Sequence, residues 1–137
     1  AQGLEAYYNA LHLNRYLSFV DPEDEAPVNS IRFLSFKIFR AETKLGDLHA
    51  SDGDTLQALE AYERAILALD NLSLQEPANS LYRDNLFSLH IKALNVHGDP
   101  QRHLAAAEEI AQQNGNSAHL LALRKAREKL VQSLRPQ

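Results

Sequence analysis

The chain has 137 residues, a net charge of −4 and no cysteine, so a single domain, 1–137, can bury about two thirds of its unfolded surface without a disulfide or a Cys-based zinc site. A pI near 5.8 argues against general nucleic-acid binding, which shows a basic patch on a basic domain, and no apolar run approaches the roughly 18 residues of a membrane span. With no methionine anywhere, the chain does not start at an initiator and reads as a processed product or a segment of a longer protein; the missing cysteines leave the compartment open, with the cytoplasm the first expectation.

Leu4 to Val20 carries two apolar stripes at helical spacing, Leu4-Tyr8-Leu11 with Phe19 further on, and Ala6-Ala10-Leu13-Leu17-Val20, which predicts a helix covered on two sides. Asp21-Pro22 and the acidic run to Pro27 stop it, because proline disfavours helix in the residue before it and lacks a backbone donor. Asn29 or Ser30 can cap a second helix running to about Ala50. Ile31, Leu34, Ile38, Ala41, Leu45 and Leu48 form its core face, and at about 100° per residue Phe36, Arg40, Thr43 and Asp47 fall on nearly the opposite side.

Gly53-Asp54 predicts a corner: glycine takes the left-handed conformation that ends a helix, and Asp54 caps the next, with Gln57 three residues on. Gly98-Asp99-Pro100 and Gly115-Asn116 repeat the device. Between these corners lie a third helix, Thr55 to about Leu74, with a Glu60/Arg64 pair on its wet side, and a fourth, capped at Asn79-Ser80 and reaching about Val96. The fourth is apolar through Leu86, Leu89, Ala93 and Val96, with Asn85, Ser88, Lys92 and Asn95 as its polar strip. A fifth, alanine-rich helix runs from Pro100 to Gln113. The sixth, Ser117 to Leu134, is locally basic at Arg124, Lys125, Arg127, Lys129 and Arg135, suiting either a polar capping helix or a contact with phosphate or an acidic peptide.

Internal similarity organises these elements. Glu5-Ala6-Tyr7 recurs as Glu60-Ala61-Tyr62, Asn29-Ser30 as Asn79-Ser80, and Gly53-Asp54 as Gly98-Asp99, the pattern of a helical hairpin repeated with one helix missing at the front. Leu45-Gly46, Ala58, Tyr62 and Ala65 resemble the tetratricopeptide repeat, with small residues where two helices cross closely. Glu42, His49 and Asp70 replace the family's Trp, Tyr and Pro, and Ile91 and His103 break the pattern in the next copy; the long helices look most like the elongated variety of large multidomain bacterial proteins. The resemblance implies an all-α fold of about six helices, antiparallel hairpins stacked as a short right-handed solenoid. It also implies that the first helix of each hairpin lines a concave surface, placing Phe36, Arg40, Thr43 and Asp47 beside Asn85, Ser88, Lys92 and Asn95. The expected partner is a protein or peptide segment, possible also as another domain of the parent chain. The family's carboxylate clamp has Lys and Asn where Thr43 and Asp47 stand, so a free C-terminus is not the expected ligand.

No reaction is expected. His90, His97 and His103 lack a ligand spacing such as His-Glu-x-x-His and read as surface or helix-packing residues. There is no Gly-x-Ser-x-Gly and no glycine-rich phosphate loop. Neither cofactor nor metal nor nucleic acid is expected, and the competing role is a structural spacer or dimerisation segment.

Overall fold

The computed structural model describes residues 2–114 and 116–134. Proline and glycine punctuation divides this span into α1 (Gln2–Val20), α2 (Ala26–Ser51), α3 (Thr55–Gln75), α4 (Ser80–Asn95), α5 (Pro100–Asn114) and α6 (Ser117–Leu134), with no strand among the described residues. The protein is all-α. Gly115 and Arg135 lie outside the described residues.

Local chemistry accounts for most of the boundaries. The Asp54 carboxylate accepts from the Gln57 amide, Asn79 from Leu81 and Asn116 from Ala118, each satisfying an amide that the helix itself cannot. α2 begins earlier than Asn29 or Ser30: Pro27 sits in its first turn, where a missing N–H costs nothing. The α2–α3 corner is as its glycine predicts, with Gly53 at φ 77° and the Asp54 amide reaching back to the His49 carbonyl. At the end of α4 the left-handed residue is instead His97, at φ 69°, followed by the Gly98 amide bonded to the Ala93 carbonyl. Gly98 is needed there for closeness: a Cβ would lie 2.8 Å from the Ala93 carbonyl oxygen and from the His103 ring.

Each helix packs against the next in sequence, and α4 also packs against α6. Side-chain pairs give the directions. Glu42 meets Arg64 while Asp47 meets Tyr62, so α2 and α3 are antiparallel. Phe87 stacks on His119, and Leu94 and His97 share a crevice with Ala126 and Leu130, so α4 and α6 run the same way. The main core joins Leu34 and Ile38 of α2, Ala58, Tyr62, Ala65 and Leu69 of α3, and Leu86, Leu89 and Ala93 of α4; a second, smaller cluster joins Phe87, Ala107, Ala111 and Leu123. Gly46 lets α2 and α3 approach, since a Cβ there would stand 2.5 Å from the Tyr62 ring.

α1 covers one of its two apolar sides only, and that one incompletely. Tyr8 and Leu11 enter the core, while Phe19, expected to continue their stripe, and Leu13, Tyr16, Leu17 and Val20 on the opposite side are exposed. The outer side of α6 is likewise not purely polar: Leu120, Leu121, Val131 and Leu134 stand exposed among its cations.

Candidate functional site

A polar strip crosses from α2 to α4. At its centre the Asp47 carboxylate accepts two hydrogen bonds from the Lys92 ammonium, at 3.0 and 3.1 Å, and one from the Tyr62 hydroxyl at 2.6 Å. The Lys92 ammonium lies 5.9 Å from the Tyr62 ring centroid, within the range of cation–π attraction. Burial, then the bond to Asp47, pushes the Tyr62 hydroxyl well above its ordinary value, so it remains a proton donor at physiological pH. Asp47 and Lys92 are both partly exposed. Such a pair contributes about 0–1 kcal/mol to folding and can exchange its partners at small cost.

Of the eight residues that the sequence singles out, these two are joined across helices. Phe36 is half-buried against the main core, edge-on to Phe39, with the exposed Arg40 guanidinium 5.9 Å from its ring. Thr43 donates to the Phe39 carbonyl and Asn85 to the Leu81 carbonyl, each back onto its own helix. Ser88 and Asn95 are exposed on α4.

The strip extends beyond these residues. Phe33, three positions before Phe36, is 60% exposed, and Leu81, four before Asn85, is 57% exposed; the Lys37 ammonium sits 5.4 Å from the Phe33 ring. Continuing the same three-and-four spacing backwards along each helix would have found both. Phe33, not Phe36, is the solvent-facing aromatic.

Two buried polar clusters lie elsewhere. Glu42, only 1% exposed, accepts from Tyr8 of α1 and Arg64 of α3, so Arg64 is drawn to Glu42 and not to the expected Glu60. The second cluster is built by two helix-packing histidines, His90 and His103. His103 is fully buried and its Nε2 lies 2.6 Å from a Glu63 oxygen, whose other oxygen accepts from Arg102; His103 Nδ1 lies 2.8 Å from His90 Nδ1. A carboxylate only accepts, so His103 Nε2 carries the hydrogen; with both imidazoles neutral, His103 Nδ1 then accepts and His90 Nδ1 donates to it. Burial, then the neighbouring His103 and Arg102, holds His90 far below its ordinary value, at about 4. His90 also lines an open groove of about 690 Å³ between α3 and α5. His97 is not part of this cluster and lines a separate crevice against α6. Among the described residues no group of three or more His, Asp or Glu side chains is placed to hold a metal ion, and no helix is long and apolar enough to cross a membrane.

Among the described residues the chain forms six sequentially packed helices, with α2 and α4 bridged by the Asp47–Lys92 pair. No family model, curated protein or solved structure matches the chain.

Proposed function

We propose that the chain is a helical-hairpin array of tetratricopeptide-like design, and that it holds an extended peptide along the strip shared by α2 and α4. Sequential packing, antiparallel α2 and α3, and parallel α4 and α6 support the array reading, because a stack of hairpins produces this neighbour pattern. The observation that carries the peptide reading is the Asp47–Lys92 bridge. It joins the polar sides of α2 and α4 at one point and supports a shared surface with this charged pair at one end and the exposed Phe33 and Leu81 towards the other.

A peptide suited to this surface places an apolar side chain against Phe33 and Leu81 and polar or charged groups beside Arg40, Asp47 and Lys92. Aromatic and arginine side chains are the usual anchors of such contacts. A random-peptide array probed with the whole chain tests it. Selected peptides should lose at least about tenfold in affinity to the Phe33→Ala/Arg40→Ala double variant, whose helical circular dichroism stays unchanged because both side chains are exposed. Undiminished binding by the folded double variant would remove the site.

A further inference from the structure

We infer that the cavity between α1, α2 and α3 binds a small organic carboxylate, its head group held by Arg15, Ser35 and Asn71 and its apolar body lying along Leu11, Ile38 and Ala68. The cavity shares no residue with the strip on α2 and α4, so neither proposal depends on the other.

The space arises from the packing order. α1 and α3 both pack on α2 and far less on each other, which leaves a cavity of about 310 Å³ between them, at the small end of the range for ligand sites. Tyr8, Leu11 and Arg15 of α1 and Arg64, Ala68 and Asn71 of α3 line it at steps of three and four, so each helix turns one face to it. Ser35 and Ile38 of α2 lie between these two faces.

Glu42 fixes the register of the three helices. Tyr8 and Arg64 both donate to the same Glu42 oxygen, which closes one end of the cavity. Arg15 and Asn71 each come seven residues later on α1 and α3, and Ser35 comes seven residues before Glu42 on the antiparallel α2. All three line the cavity, so they meet at its other end, about 10 Å away at about 1.5 Å per residue.

The two ends differ in charge. At the first, Arg64 is matched by Glu42. At the second, the Arg15 guanidinium is exposed and forms no ion pair among the described residues, and no residue lining the cavity is acidic. Ser35 is only 2% exposed, and a polar group at that depth favours a hydrogen-bonding partner. Thr43 and Ser133 turn their hydroxyls back onto their own helices, whereas the Ser35 hydroxyl forms no such bond. One guanidinium with two neutral donors suits a singly charged, planar carboxylate better than a phosphate dianion. Between the ends, the buried Leu11, Ile38 and Ala68 present hydrocarbon. The neighbouring groove between α3 and α5 is different, since Asp70 and Glu109 line it beside Arg83; a preference for anions therefore belongs to this cavity and is not a general result of the packing.

Isothermal titration calorimetry of the whole chain with sodium octanoate, whose chain is about as long as the cavity, tests the inference. Octanoate should bind one to one. Acetate, which lacks the chain, and octylammonium, which carries the opposite charge, should bind at least about tenfold more weakly. Arg15→Gln, at an exposed position, should weaken octanoate at least about tenfold with its helical circular dichroism unchanged. Leu67→Glu should do the same by placing a negative charge at the mouth of the cavity, where Leu67 is 65% exposed. Absence of octanoate binding overturns the inference, as does equal affinity for octylammonium or undiminished binding by either folded variant. Tighter binding of octyl phosphate than of octanoate would overturn the choice of a carboxylate.

Discussion

The acid response of the protein should be set largely by His90. Its ring is buried beside His103 and Arg102, and its folded value of about 4 lies below the ordinary 6.5. A base whose folded pKa is depressed binds its proton in the unfolded chain first. The stability it contributes is therefore complete above about pH 6.5 and is lost as the pH falls towards 4. Each pH unit inside that window corresponds to about 1.4 kcal/mol, so the full loss is on the order of 3 kcal/mol, a large part of the 5–15 kcal/mol typical of a domain. Urea unfolding followed by circular dichroism at pH 7, 6, 5 and 4.5 measures it for the wild type and for His90→Gln. Glutamine can still donate towards His103 Nδ1 but takes up no proton. The variant should be less stable at pH 7 and should have a shallower slope below pH 6.5, so that the two curves converge on acidification. Parallel curves for the two proteins would refute this account of His90.

Two other substitutions probe the corners. Gly46→Ala gains helix propensity but drives a methyl group to 2.5 Å from a Tyr62 ring that is buried and tied by its hydroxyl to Asp47; overpacking wins, and the urea midpoint should fall by an amount equivalent to about 1–2 kcal/mol. His97→Gly relieves a left-handed non-glycine residue, which costs roughly 1–2 kcal/mol, against roughly 0.5–1 kcal/mol of added backbone entropy. The expected result is a melting temperature raised by a few degrees; a lowered one would mean that the imidazole itself holds the end of α4.

Much of this molecule was legible in its residues because helix formation is local. The steps of three and four along Ile31, Leu34 and Ile38, the break at Asp21-Pro22, and the Asp54 and Asn79 caps depend on neighbours a few positions away. From them follow six helices, most of their ends, and the core residues Leu34, Ile38, Leu86 and Leu89, although the N-cap of α2 is Glu25, more than a turn before Asn29, and Leu48, expected on its core face, is exposed. The small residues Gly46, Ala58 and Ala65 even marked where α2 and α3 approach. Only the tertiary structure decided which polar groups would be buried and with whom. Glu63 reaches His103 across 40 positions and Asp47 reaches Lys92 across 45. No periodicity within one helix can encode those partners, because they depend on how two distant helices are rotated against each other. The same reason separates Phe33 from Phe36 and moves the left-handed residue from Gly98 to His97: in each case the neighbouring helix, not the local sequence, sets how much room a side chain has.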